Sequence, residues 1–204
     1  MQLIGMMDSP YVRRVAISLK LMGLPYEHKQ ISVFRHMDQF RQINPLIKAP
    51  TLVCDDGETL MDSTLILDYL DTLVTADRSL MPAEPFARRR ALQNIGIALA
   101  ACEKAVQRYY ELTLRPTEKR HAPWLDRVTE QMNVGFGELE KIMPAAAPWL
   151  HGEHMSQDDI CIAVAWRFTR FVMPESLEHA RYSLLHHFSE RAESLPAFIA
   201  TPLE

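Results

Sequence analysis

Apolar residues recur along the first third of the chain in two rhythms. Gln2 to Met6 is a short apolar run that predicts a buried strand. After Asp8-Ser9-Pro10, apolar positions fall at Val12, Val15, Ala16, Leu19 and Met22, one face of a helix. Ser9 suits the cap of that helix, Pro10 its first turn and Gly23 its end. Tyr26 to Ile31 alternates as a second strand, and Ser32 to Ile43 fits a short irregular helix. Asn44-Pro45 breaks the pattern, Thr51 to Cys54 reads as strand, and Asp55-Asp56-Gly57-Glu58 as a turn between strands. Ile66, Tyr69, Leu70 and Leu73 share one helical face behind Ser63. The predicted order is strand, helix, strand, helix, strand, strand, helix.

Punctuation then changes. Asp77, Ser79, Pro82 and Pro85 mark a linker over residues 77–85, and beyond it nothing alternates as strand. Phe86 to Leu114 and Ala122 to Met143 read as helices closed by prolines. A third begins at Ser156, and a fourth runs from about Ala180 to Ala192. Gly135-Phe136-Gly137 lies inside a helical stretch with no strand before it, which excludes a nucleotide-binding glycine loop. The reading is an α/β domain over residues 1–76 and an all-helical domain over residues 86–204.

Composition narrows the function classes. A formal net charge of −4 over 204 residues argues against nucleic-acid binding through a general basic field. No apolar run approaches the ~20 residues of a membrane span, and the start lacks the basic-then-apolar layout of a signal peptide. Cys54, Cys102 and Cys161 are scattered, with neither disulfide nor zinc-ligand spacing, and are expected as small buried hydrophobes in a reducing cytosol. Arg13 and Arg14 are expected on a solvated helix face. His186-His187 has no metal-like partners in sequence, and no metal is expected.

Three constellations carry chemistry. The Ser9-Pro10 junction starts a helix, where free N–H groups and the positive end of the dipole favour an anion and a hydroxyl can donate to it. For a thiol of pKa near ~8.5, a fall of about two units needs ~2.7 kcal/mol. A helix end supplies ~0.3–2 kcal/mol and a charge-assisted hydrogen bond ~1.5–3 kcal/mol, so together they suffice. The return in rate is a few-fold, because nucleophilicity falls with pKa. Holding the electrophile close to the sulfur must supply the rest.

The second constellation is Asn44-Pro45-Leu46-Ile47-Lys48-Ala49-Pro50-Thr51-Leu52. Pro50 cannot donate to a sheet, so it belongs at the start of a strand and suits a cis bond. The turn exposes the backbone of Ala49 to an extended peptide. The third is Asp62-Ser63, a capping pair that also places an acid and a hydroxyl where an amino acid's ammonium and carboxylate can both be met.

With this order and spacing the chain resembles a bacterial glutathione transferase. The resemblance implies a thioredoxin-like first domain and an active cleft between it and the helical domain. Ser9 would hold the glutathione thiolate, Ala49 beside cis-Pro50 would pair with the cysteinyl unit, Asp62 and Ser63 would take the γ-glutamyl end, and Lys48 would reach a carboxylate. It further implies glutathione as co-substrate, a small electrophile, a homodimer, a cytoplasmic location, and neither nucleic acid nor membrane as partner. Met7, Tyr11 and Tyr109 are candidates for the electrophile site. Ser156-Gln157-Asp158-Asp159 is a capping box with Met155 and Ile160 as its staple, and it resembles the family's C-terminal folding motif. So does Leu195-Pro196-Ala197-Phe198 at the tail. The chain departs from the family in having Asp62 where many members have Glu. It also lacks a tyrosine or cysteine at the junction, which disfavours tyrosine-type members and disulfide reductases. The same fold also serves as a non-catalytic interaction module in transcription and translation proteins, and Ser9 and Asp62 would then be caps alone.

Overall fold

The structure, a computed structural model, describes residues 1–144, 146–176 and 181–203. The chain packs as two units, one of Met1–Met81 with the chain from Ser194 on, the other of Pro82–Glu193.

The first unit is built on strands β1 (Gln2–Ile4), β2 (Glu27–Lys29), β3 (Thr51–Val53) and β4 (Thr59–Met61), with helices α1 (Pro10–Leu21), α2 (Met37–Ile43) and α3 (Ser63–Asp71) between and after them. The sheet order is β2-β1-β3-β4, with β1 parallel to β2 and the other pairs antiparallel. This is a thioredoxin-like sheet. The strands are shorter than expected. β1 stops at Ile4 rather than Met6 because Gly5 takes φ +140°, which leaves extended geometry. β2 likewise holds only Glu27–Lys29 of the predicted Tyr26 to Ile31. Ser9 caps α1 and Pro10 occupies its first turn, as predicted. Val12, Val15, Ala16 and Leu19 are buried, as are Leu3 and Leu52 on the strands.

Arg13 and Arg14 depart from expectation. Both are buried, at 1% and 2% exposure, rather than solvated. The Arg13 Nε donates to the carbonyl of Thr201 at 2.8 Å, and its guanidinium lies 5.6 Å from the centre of the Phe198 ring. The tail helix α8 (Pro196–Ile199) is thereby tied to α1.

The second unit contains α4 (Pro85–Thr113), α5 (Ala122–Lys141), α6 (Gln157–Val172) and α7 (Ser183–Glu193). The predicted start of the last of these, Ala180, lies outside the described residues. α6 is buried nearly all round and packs against α4 and α7. Trp166 on it meets Phe136 edge-on at 5.3 Å and Tyr182 at 5.4 Å. Its N-terminus carries the predicted capping box between Ser156 and Asp159. Cys102 and Cys161 are buried as expected, whereas Cys54, just past β3, is only half-buried.

Candidate active site

One row of the sheet gathers the three constellations. Ile4 pairs with Thr51, and Thr51 pairs with Met61. The segments just past that row are therefore neighbours: Gly5 to Ser9 after β1, Ala49-Pro50 before β3, and Asp62-Ser63 after β4. Residues far apart in sequence reach one sheet end because three strands stop in register.

At the first position, Ser9 is half-buried and its backbone is extended, at φ −74° and ψ 120°. Its Oγ accepts from the Val12 N–H at 3.4 Å. That is longer than the usual ~2.7–3.2 Å, so the cap is weak and the hydroxyl proton has no acceptor among the described residues. The neighbouring Asp8 carboxyl is raised above its ordinary value by partial desolvation, against the pull of the Arg35 charge and the Ser9 N–H.

At the second position, the Ala49–Pro50 peptide is cis. The loop before it is wired through Asn44, which is buried. Asn44 Nδ2 donates to Thr51 Oγ1 at 2.9 Å, and its Oδ1 accepts from the Leu46 N–H at 3.0 Å. Thr51 Oγ1 in turn donates to the Lys48 carbonyl at 2.7 Å. Ile47 is left at φ 50°, which a branched residue tolerates only when its surroundings hold it there. Among the described residues neither the N–H nor the C=O of Ala49 takes a hydrogen bond. Lys48 is exposed beside it.

At the third position, Asp62 rather than Ser63 is the cap of α3. Its Oδ1 accepts from the Thr64 N–H at 2.8 Å and the Leu65 N–H at 3.4 Å. Asp62 sits at φ 71° and ψ 120° and is exposed. Non-glycine residues in such a region carry ~1–3 kcal/mol of strain. Ser63 is buried, and its Oγ accepts from Arg14 Nη1 at 3.3 Å.

The candidates for an electrophile site divide. Met7 is buried at 5% exposure, and Tyr11 is half-buried at the start of α1. Tyr109 is half-buried on α4 in the second unit, its ring 6.2 Å from that of Tyr110.

Residues 3–77 match the family model described as glutathione S-transferase, N-terminal domain. The chain is 29% identical to a glutathione transferase family member from Pseudomonas fluorescens Pf-5 solved with bound glutathione, covering 100% of this chain and 98% of that one at a TM-score of 0.86. Residues 3–77 form a glutathione S-transferase N-terminal domain, and the chain as a whole shares the fold of these glutathione transferases. A family structure from Methylobacterium radiotolerans, solved with glutathione sulfonate, is 28% identical over 98% of this chain and 93% of that one, with a TM-score of 0.90. Among curated family members, glutathione S-transferase U4 of Arabidopsis thaliana is 32% identical over 52% of this chain, and the match spans about half of that relative, 52%.

Two parts of the site escaped the sequence reading. Asn44 appears there as a helix breaker and as the first residue of the Asn44 to Leu52 motif, with no role for its side chain, although that side chain shapes the Ala49 loop. Arg14 appears as a surface residue. The one available signal was the Arg13-Arg14 pair set between Val12 and Val15, on a helix whose other positions are mostly apolar.

Proposed function

We propose that this protein is a glutathione transferase of the serine type, which binds glutathione on the row beyond Ile4, Thr51 and Met61 and joins its sulfur to a small electrophile. The observation that carries the reading is the set of unused polar groups at one sheet end. The Ser9 hydroxyl has a proton to donate, and the Ala49 backbone has both a donor and an acceptor to offer an extended peptide. Glutathione supplies the nucleophilic sulfur. Ser9 donates to it and, with the amino end of α1, favours the anion. Ala49 pairs with the cysteinyl backbone as an added strand would. Asp62 meets the ammonium, Ser63 the α-carboxylate and Lys48 the glycine carboxylate. In the conjugation the sulfur–carbon bond forms as the electron pair of the broken bond leaves with the departing group, and the thiol proton passes to solvent. In this reading residues 1–76 hold glutathione, 77–85 link, and the helical domain from residue 86, with Tyr109, selects the electrophile. Action in the cytosol as a homodimer belongs to the same proposal. Among the described residues no helix is long and apolar enough to cross a membrane.

Retention on immobilised glutathione, compared between the native chain and Ser9→Ala, tests this reading together with turnover of a chloronitrobenzene. Both proteins should be retained. Ser9→Ala should lose a few-fold in kcat at pH 7, because the smaller thiolate fraction is largely offset by the greater nucleophilicity of the more basic sulfur. The pH midpoint of its rate should rise by about 1–2 units. A native chain that passes unretained and inactive would sink the enzyme reading.

Asp62→Gly separates the site from the fold at the third position. Glycine adopts φ 71° without strain and caps a helix only a few tenths of a kcal/mol less well than Asp. The urea midpoint should therefore hold or rise slightly, while glutathione affinity falls about tenfold through loss of the ammonium partner. Unchanged affinity would remove Asp62 from the site.

A further inference from the structure

Beneath the γ-glutamyl end of the proposed site lies a charge that this reading leaves unused. Arg14 projects from α1, is 2% exposed, and reaches the start of α3. Its Nη1 donates to Ser63 Oγ at 3.3 Å and to Thr64 Oγ1 at 3.4 Å. Its Nε is buried without a partner, and among the described residues no carboxylate stands within ion-pair distance of it. Burying a guanidinium among neutral groups is expensive, and proteins ordinarily pair such a charge. Here the anion is missing on the side where two hydroxyls intervene.

Those hydroxyls have one proton each and accept from the same cation, so their protons must point away from it. A hydroxyl that accepts from a cation is also a stronger donor to the next acceptor. We propose that Arg14 is a positioning residue for peptide recognition. It orients and polarises the Ser63 hydroxyl toward the α-carboxylate of the γ-glutamyl unit, and that carboxylate is the counter-charge the buried guanidinium lacks. The inference rests on the reading above that Ser63 meets this carboxylate. It adds what selects for it: a peptide with no α-carboxylate leaves the cation uncompensated.

The experiment compares three peptides, each titrated against the full-length protein. Glutathione is set beside 4-aminobutanoyl-cysteinylglycine, which lacks only the α-carboxylate, and glutaryl-cysteinylglycine, which lacks only the ammonium. The native chain should bind glutathione about 10–100-fold more tightly than the first analogue. Arg14→Met should erase that preference by weakening glutathione while leaving the decarboxylated analogue unchanged. It should keep the native preference over the glutaryl analogue, with kcat at saturating glutathione within about twofold of native. Ser63→Ala should abolish the same preference, and Arg14→Lys should restore part of it. If Arg14→Met weakens glutathione and the decarboxylated analogue equally, or neither, the proposal is overturned. If Arg14→Met does not fold, Arg14→Lys and Ser63→Ala decide: a full native preference in both overturns it. A native chain that binds none of the three brings down the glutathione reading itself, a result distinct from binding without discrimination.

Discussion

Gly5→Ala is expected to cost about 3–5 kcal/mol of stability, combining backbone strain with overpacking, and to weaken glutathione binding in the molecules that still fold. Gly5 is held at φ +140°, a region that L side chains rarely adopt. A Cβ placed there would lie 2.5 Å from Val12 Cγ2 and 3.1 Å from the Ala49 Cβ. Val12 is fully buried on α1 and cannot retreat without moving the helix. The added methyl would therefore act as a wedge between the start of α1, which carries Ser9, and the loop that carries Ala49. Two of the proposed glutathione contacts are spaced by the absence of that one carbon. Urea unfolding should show the lost stability, and calorimetric titration well below the transition should show the lost affinity. A variant that unfolds earlier yet binds as tightly as the native chain would show that the two segments hold the tripeptide independently.

Asp159→Ala is expected to destabilise the helical unit by about 3–5 kcal/mol at mildly acidic pH, the cost of leaving two N–H donors at the helix start unpaired. The carboxyl is fully buried at the first turn of α6. Its Oδ1 accepts from the Leu150 N–H at 3.0 Å, and its Oδ2 accepts from the Ser156 N–H at 2.8 Å and the Ser156 hydroxyl at 2.6 Å. Alanine would strand the Leu150 and Ser156 N–H donors and free the loop before the most buried helix of the unit. The Asp158 carboxyl is also fully buried beside it, within 2.6 Å of the same Ser156 hydroxyl. One hydroxyl proton cannot serve both acids at once, and burial outweighs the hydrogen bonds. Asp159 is accordingly pushed up from 3.8 to about 6.

The sign of the pH effect follows from that rise. Between pH ~4 and ~6 the folded chain keeps a proton that the unfolded chain releases. The stability contributed by this group is thus fully present below pH ~4 and is lost as pH rises through ~6, by an amount on the order of 3 kcal/mol. The stability gap between native and Asp159→Ala proteins should therefore shrink as pH is raised from about 4 to 7. Urea midpoints taken across that range measure it directly. A gap that widened instead would mean that the folded state prefers the carboxylate.

Much of this molecule was legible from short stretches of chain. Ser9-Pro10 announces a helix start because a cap and a proline act on the turn immediately after them. The box from Ser156 to Asp159 announces α6 in the same way. The strand and helix order, the linker prolines and the Asn44 to Leu52 motif are likewise decided by neighbours a few residues apart, and the family resemblance rests on them.

What required the folded chain was everything settled by partners distant in sequence. Arg14 looks like a surface charge until α3 arrives 49 residues later with Ser63. Arg13 looks the same until Thr201 closes over it, 188 residues on. The row of Ile4, Thr51 and Met61 that draws three motifs to one sheet end is a matter of strand register. The sequence by itself determined which segments would be strands and helices, because caps, prolines and apolar periods act within a turn or two. The tertiary structure alone decided which unused polar groups would face one another. Register and packing depend on how whole elements bury their apolar faces together, and no local run of residues encodes that sum.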